Sequence, residues 1–238
     1  MMYRKRSHIS DKFRKFGRSE DGTTMVEFAI CVSLFLLILF AVIDFGRLGY
    51  SWVVAEKAVQ QATRIATVRP AVCPNVPTFH LRADPNDRTV NAGTLCREVS
   101  GLCVDTGPIQ CTLATPNTGT AGADTADEIW NSIRELLPPG TSKSNIMVGY
   151  DYDPRLGFLG GPYVPVVTTE LVGSFSANGG KTDLMFEFVT PLSALAATSG
   201  AANAATVLPD GSNCTACIPF PAISVTLPGE DLNQGVDG

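Results

Sequence analysis

The chain contains few of the residues from which active sites are usually built. Only two of its 238 residues are histidines, His8 and His80, which leaves little for histidine-based acid–base catalysis. The sequence patterns of a nucleophile elbow, a phosphate-binding loop, a zinc protease and a calcium-binding EF-hand are all missing. We therefore predict that the protein is not an enzyme and needs no cofactor, and we expect no nucleic-acid partner.

Residues that could bind a metal ion are also poorly arranged. The acid pairs Asp84–Asp87 and Asp151–Asp153 could contribute to a calcium site, although such pairs are usually solvated turns. The cysteines between residues 73 and 111 lack the two-residue spacing of a zinc knuckle. We predict no metal site.

Charge is distributed unevenly along the chain. Residues 1–22 hold seven Lys or Arg and three acidic residues, which gives this leader a net charge of +4, whereas the whole chain carries −5. The remaining residues therefore carry a net charge of about −9. A basic leader precedes an acidic body.

One long hydrophobic run follows the leader. Phe28 to Ile43 contains no charged residue, and between Thr23 and Ile43 only Glu27 is ionisable. The longer stretch would span about 31 Å as a helix, which matches a bilayer core. Because the basic residues precede the run, the positive-inside rule places the leader in the cytoplasm and everything after Asp44 outside. No cleavage site typical of a secretory signal follows the run, and soluble core helices rarely follow so charged a leader. We therefore predict a single membrane anchor.

The cysteine count agrees with export. Cys31 lies inside the hydrophobic run, and six cysteines follow it: Cys73, Cys96, Cys103, Cys111, Cys214 and Cys217. An even number in an exported segment predicts disulfides. We expect Cys214 to pair with Cys217, and the other four to close the proline- and glycine-rich segment from 71 to 122. A redox role for Cys214 and Cys217 is the alternative, but turn-forming residues surround that pair.

The helix is predicted to continue beyond the membrane. Apolar residues recur at steps of three and four, namely Leu48, Trp52, Ala55, Val59, Ala62 and Ala66. Pro70 ends the pattern. This predicts one helix from Thr24 to Val68, transmembrane over about 24–43 and amphipathic over 44–69. The stripe packs either on its own domain alone or also, in its upper half, on neighbouring subunits.

Residues 70–238 are predicted to form a small disulfide-pinned extracytoplasmic α+β domain with an antiparallel sheet. The predicted elements are a helix from Asp124 to Leu137 capped by Asp124 or Thr125, a strand from Ile146 to Tyr152, a hairpin of residues 171–177 and 181–190 around Asn178-Gly179, and a last strand from Ile218 to Leu227. Pro219 and Pro221 should confine the start of that last strand to a sheet edge. Residues 194–205 are either a short helix or a flexible excursion.

The start of the hydrophobic run has a distinctive arrangement. A basic leader is followed by Gly22, four residues, Glu27 and then the aromatic Phe28, which resembles the class III signal of type IV-like prepilins. Residues 22–66, with Val-Glu-Phe-Ala at 26–29 and Asp-Phe-Gly-Arg at 44–47, more closely resemble the TadE-like domain of Tad (tight adherence) pilus pseudopilins. One departure is Ser33, where members of that family often carry a proline.

The resemblance implies that a prepilin peptidase cleaves after Gly22 and makes Thr23 the new N-terminus. It also implies that Glu27 and Phe28 act in assembly, with Glu27 pairing with the Thr23 amine of a neighbouring subunit. The alternative for Glu27 is a carboxylate that merely reaches the membrane surface. The implied partners are the peptidase, the major pilin, other minor pseudopilins, the inner-membrane assembly platform and the lipid bilayer.

Two functions follow, of different classes. The first is a minor pseudopilin that initiates, primes or forms the tip of a Tad-type adhesive pilus, held in the bacterial inner membrane with a periplasmic domain. Its incorporation into the extracellular pilus is left open. The alternative is an unprocessed, single-span anchored extracytoplasmic binding or envelope protein. A third hypothesis, a membrane-tethered thiol oxidoreductase, has only Cys214 and Cys217 in its favour. Processing after Gly22 distinguishes the first two.

Overall fold

A computed structural model describes residues 20–87, 89–118, 121–176, 180–190, 206–207, 213–214, 217–230 and 232. The first element is a single long helix, α1, which spans Glu20–Val68. A domain of short helices and antiparallel strands follows it. The predicted fold class, a long N-terminal helix followed by a disulfide-pinned α+β domain, is confirmed.

Helix α1 ends where the sequence predicted but begins earlier. Its last residue is Val68, as expected, whereas its first is Glu20 rather than Thr24. Gly22 costs only about 1 kcal/mol within a helix. The 49 residues of α1 make it about 74 Å long.

The sheet of the domain has four antiparallel strands in the order β1-β2-β3-β10. These strands span Ile109–Thr112 (β1), Ile146–Asp151 (β2), Val166–Leu171 (β3) and Ile223–Pro228 (β10). In the register of the sheet, Val148 lies opposite both Cys111 and Thr169. The strand predicted from Ile146 is confirmed, but β2 is buried on both faces rather than one.

The core lies between one face of the sheet and the second half of α1. The helix contributes mainly small residues, and Ala55, Ala62 and Ala66 are fully buried. Small side chains let the helix axis approach the sheet closely. Tyr150 crosses this core, where its hydroxyl accepts a hydrogen bond from the Val72 amide at 3.0 Å, and burial raises the pKa of Tyr150 to about 12.

The predicted apolar stripe of α1 is correct in its second half and partly wrong in its first. Val59 is fully buried, as are Ala55, Ala62 and Ala66, but Trp52 is 42% exposed and Leu48 only half-buried.

The segment from 71 to 122, predicted as disulfide-pinned loop, is mostly irregular but also contains β1. Disulfides join Cys73 to Cys111 and Cys96 to Cys103. The first bond ties the chain leaving α1 to an edge strand of the sheet. The second closes a short loop and packs in a separate small apolar cluster with Leu102 and Leu159. Period-two alternation did not reveal β1 because the strand has only four residues.

The second helix also differs from its prediction at both ends. Helix α2 spans Ala121–Ile133 and continues as a 3₁₀ turn over Arg134–Leu136. Asp124 and Thr125 were predicted as caps, which is wrong because both lie inside the helix, where the Thr125 hydroxyl donates to the Ala121 carbonyl at 3.0 Å. A second 3₁₀ turn, Lys143–Asn145, leads into β2.

The hairpin and the last strand are shorter than predicted. Strands β4 (Ser174–Phe175) and β5 (Lys181–Thr182) pair antiparallel around the predicted turn, whose residues 177–179 lie outside the described ones. Leu171 belongs to β3 instead. Strand β6 (Met185–Glu187) pairs with β9 (Cys217–Pro219), so the predicted strand from Ile218 to Leu227 is interrupted around Pro221 before β10 begins.

Two further strands complete the described structure. Thr206–Val207 (β7) pairs with Asn213–Cys214 (β8). Pro219, predicted to confine the start of the last strand to a sheet edge, lies in β9 of the two-stranded β6–β9 sheet, and β10 is an outer strand of the four-stranded sheet. The segment 194–205, predicted as a short helix or an excursion, lies outside the described residues.

Candidate assembly and processing site

The predicted processing bond lies in the first turn of α1. Gly22 and Thr23 are the third and fourth residues of a helix that begins at Glu20. Glu27 lies four residues after Thr23, which puts the two residues on one face of the helix, and both are exposed.

The first half of α1 shows apolar side chains in all directions. Met25 is 75% exposed, Phe28 69% and Phe35 63%. The helix is long and apolar enough to cross a membrane between Thr23 and Val68, and no part of its most apolar window is buried. Ser33 stands where the sequences that this segment resembles often have proline. Its hydroxyl donates a hydrogen bond to the Ala29 carbonyl at 2.8 Å. The helix therefore continues without interruption through this position.

Asp44, the first charged residue after the apolar run, is completely buried. Its carboxylate accepts hydrogen bonds from the backbone N–H groups of Val189 (3.4 Å) and Thr190 (3.3 Å) and from the Thr190 hydroxyl. The Arg47 guanidinium lies 3.5 Å from the same carboxylate. A carboxylate buried in this way needs such donors, because an unpaired buried charge costs several kcal/mol.

Aromatic rings surround this junction. The Phe45 ring packs edge-on against Phe188 at a centroid distance of 6.0 Å, and Phe188 packs against Phe186. The Arg47 guanidinium carbon lies 5.5 Å from the centre of the Phe186 ring, a cation–π arrangement. Phe186 and Phe188 point the same way because side chains alternate along an extended chain. We call Asp44, Arg47 and residues 186–190 the exit clamp.

The sequence pointed to one side of the exit clamp only. Asp44 and Arg47 stood out as a motif, whereas residues 186–190 were predicted merely as part of a hairpin strand. The alternation of Phe186 and Phe188 indicated an apolar face, but nothing local indicated that this face meets a helix 140 residues earlier.

The first part of the chain matches a known protein family. The family model described as TadE-like protein matches residues 22–64. This segment of the chain is TadE-like. The match begins at Gly22, runs through Glu27 and residues 44–47, and associates the chain with the Tad pilus. No curated protein and no solved structure matches the chain.

The cysteines of the described residues fall into two groups. Cys31 is exposed and is the free cysteine of the described residues. Cys73, Cys96, Cys103 and Cys111 form the two disulfides given above, and Cys217 is also disulfide-bonded. The side chain of Cys214 lies outside the description, so its pairing with Cys217 stays a prediction.

One buried histidine lies beside a disulfide. A ring nitrogen of His80 and the sulfurs of Cys96 and Cys103 all lie within 4.8 Å of one another. The two sulfurs are bonded to each other, so neither is a thiolate that could bind a metal ion. The His80 Nε2 accepts a hydrogen bond from the Val164 amide at 3.2 Å, and burial lowers the pKa of His80. The arrangement suits a neutral, structural histidine.

The acid pairs considered for calcium have local roles. Asp84 Oδ1 accepts from the Asn86 amide at 2.9 Å, and Asp87 Oδ1 from the Thr89 amide and hydroxyl. Asp153 pairs with the Arg155 guanidinium. These carboxylates close turns, which is the ordinary role of such residues in loops.

Proposed function

We propose that the protein is a minor pseudopilin that initiates, primes or forms the tip of a Tad-type adhesive pilus. The observation that carries this proposal is the TadE-like match that begins at Gly22, on a helix whose first half is exposed on every side. Such a surface needs lipid before assembly and neighbouring helices after it. The implied partners are the prepilin peptidase, the major pilin, other minor pseudopilins and the inner-membrane assembly platform.

Processing is proposed after Gly22, at the cytoplasmic face of the bacterial inner membrane. The bond between Gly22 and Thr23 lies near the N-terminal end of the described part of α1. Gly22 has no side chain that would obstruct a narrow cleft. Cleavage removes the leader with its net charge of +4, and these are the charges that hold the N-terminus on the cytoplasmic side.

We propose that Glu27 sets the axial register between neighbouring subunits during assembly. After cleavage Thr23 carries an α-amine, and Glu27 of a neighbouring subunit offers it a carboxylate. An acid left unpaired inside a bundle of apolar helices costs several kcal/mol, so only the staggers that pair these groups are favourable. Phe28 and the apolar residues after it supply the bulk of the packing.

Processing is the test that distinguishes this function from its alternative. The full chain is co-expressed with a Tad-type prepilin peptidase, and the membrane-bound product is analysed by N-terminal sequencing and intact mass. We expect a mature chain that starts at Thr23. Gly22→Val should block the cut, because a branched side chain then occupies the scissile position. Gly17→Val, in the same leader, is the matched control and should be cut normally.

An unshortened chain in the presence of active peptidase would contradict the pseudopilin proposal. The protein would then be an unprocessed, anchored extracytoplasmic protein. The activity of the peptidase is checked in the same cells on the major pilin.

A further inference from the structure

We propose that the tip of the exit clamp, residues 188–190, rests with Phe45 on the outer surface of the lipid bilayer. The domain would then have a membrane contact of its own besides the α1 anchor. The partner is the interfacial layer of the bilayer, where headgroups meet acyl chains. The proposal rests on the membrane anchoring that is part of the proposed function.

The height of the tip along α1 is set by hydrogen bonds. The uncharged run ends at Ile43 and Asp44 is the first charged residue after it, so Asp44 marks the outer edge of the apolar span. The Val189 amide lies 3.4 Å from the Asp44 carboxylate. Val189 is therefore level with the membrane boundary whenever the span occupies the bilayer.

The surface at that height is apolar and open. Val189 is 71% exposed, Phe45 59%, and Val42, one turn earlier, 65%. Phe188 supports Phe45 from the domain side. Apolar side chains in this position are unfavourable in water but favourable at the boundary between headgroups and acyl chains.

The charge near the tip limits how deep it reaches. Glu187 is exposed and two residues before Val189, so its side chain lies on the same side of the extended chain, about 7 Å farther along it. A carboxylate is unfavourable in hydrocarbon. The contact is therefore shallow and does not depend on anionic lipid.

The buried state of Asp44 fits the same arrangement. At the edge of a bilayer an open carboxylate would face lipid, and backbone amides of the tip cover it instead. The backbone of the tip thus donates hydrogen bonds to the Asp44 carboxylate, while the Val189 side chain faces the bilayer. The domain is held at a fixed height rather than swinging on α1.

The test uses depth-dependent quenching in the full chain. With Cys31→Ser removing the free thiol, Val189→Cys is labelled with a polarity-sensitive fluorophore and reconstituted into phosphatidylcholine vesicles. Spin-labelled lipids carry the quencher either near the headgroup or deep in the acyl chain. We expect a blue shift and a loss of fluorescence that is larger with the shallow quencher.

Two matched sites complete the design. Phe79→Cys, at a residue that is 50% exposed elsewhere on the domain, should be unaffected by either quencher. Val42→Cys, inside the span, should be quenched and reports that α1 is inserted. A benzophenone amino acid at position 189 gives a second readout without a thiol, and we expect it to cross-link to lipid.

The outcomes separate this proposal from the anchoring itself. Quenching at position 42 with none at position 189, or cross-linking of position 189 to a second copy of the chain, overturns the membrane contact and leaves the anchor standing. A lack of quenching at both positions overturns the anchor and the contact together.

Discussion

Glu27 and Asp44 lie at opposite ends of the same apolar span, and the structure treats them differently. Asp44 is completely buried and receives hydrogen bonds from the domain of its own chain. Glu27 is exposed, and no hydrogen bond or ion pair to it occurs in the part of the chain that the structure describes. One acid is satisfied within the monomer, whereas the other receives no donor from the described part of its own chain. The outer end of the span is therefore a folding contact, and an assembly contact at the inner end is what we propose.

The sharpest test of this difference is Glu27→Ala. We expect cleavage and membrane insertion to remain intact while assembled pili are lost, because the Thr23 amine of each neighbour would lose a charge partner worth about 3–5 kcal/mol in a buried setting. Pili are counted by electron microscopy and by the amount of sheared fibre. Glu56→Ala, on the second half of α1, is the control.

Normal pili with Glu27→Ala would show that this carboxylate only reaches the membrane surface. Glu27 and Asp44 would then differ only in their solvent exposure, and not in having a partner from another subunit or from the same chain.

Asp44→Ala should have the opposite profile, with loss of folding stability before any loss of assembly. Removal of this carboxylate leaves two backbone amides and a hydroxyl without their acceptor and the Arg47 guanidinium without its partner, at a cost of about 3 kcal/mol or more. Denaturant unfolding of the detergent-solubilised protein measures it. Asp44→Asn keeps an oxygen acceptor and should cost less. Equal stability of the alanine variant and the parent would contradict the exit clamp.

The two described disulfides should differ in how much they stabilise the folded protein. Cys73–Cys111 spans 38 residues and Cys96–Cys103 only 7, so chain-entropy arguments assign roughly 4 and roughly 2 kcal/mol of stabilisation respectively. Paired Cys→Ala variants measured by denaturant unfolding test the order.

Alkylation without reduction, followed by mass spectrometry, tests the whole cysteine assignment. One labelled thiol, Cys31, is expected in freshly exported protein. Three or more labelled thiols would revive a redox or metal role for the cysteines.

The smallest expected effect concerns pH. Burial lowers the pKa of His80 from its ordinary value of 6.5, so the unfolded chain takes up this proton more readily than the folded one. Stability from the neutral ring is complete above pH 6.5 and is lost as the pH falls below that value. His80→Gln retains an acceptor for the Val164 amide and should reduce the loss between pH 6.5 and 5. An identical pH dependence in both proteins would contradict a neutral buried His80.

The features of α1 could be predicted because their signals are local. The apolar span and the glycine-to-glutamate spacing both depend on residues within one stretch of α1, whereas the processing and assembly roles of those residues stay predictions. The predicted start of α1 at Thr24 was wrong by one turn, since no residue between Glu20 and Thr23 prevents a helix. The predicted N-cap of α2 was also wrong. Asp is a common N-cap residue, but the helix begins at Ala121, so Asp124 lies inside it.

Elements that depend on distant partners were harder to predict. Strand β1 is too short to show a periodic pattern, and it belongs to the sheet because it pairs with β2. The Asn178-Gly179 signal indicated a turn but said nothing about how far its strands extend. Trp52 fits the period of the apolar stripe, yet its exposure depends on where the sheet ends against the helix.

The sequence by itself determined that an apolar run follows a basic leader, and that this run lies between Gly22 and the Asp-Phe-Gly-Arg motif at 44–47. These features follow from composition and spacing, which need no tertiary contact. Only the tertiary structure decided that Asp44 is buried, which cysteines of the 71–122 segment pair, and that residues 186–190 cover the exit of the span. Those outcomes arise because a buried charge must find donors, and the donors that reach Asp44 come from Val189 and Thr190, just after β6, with Val189 145 residues away along the chain.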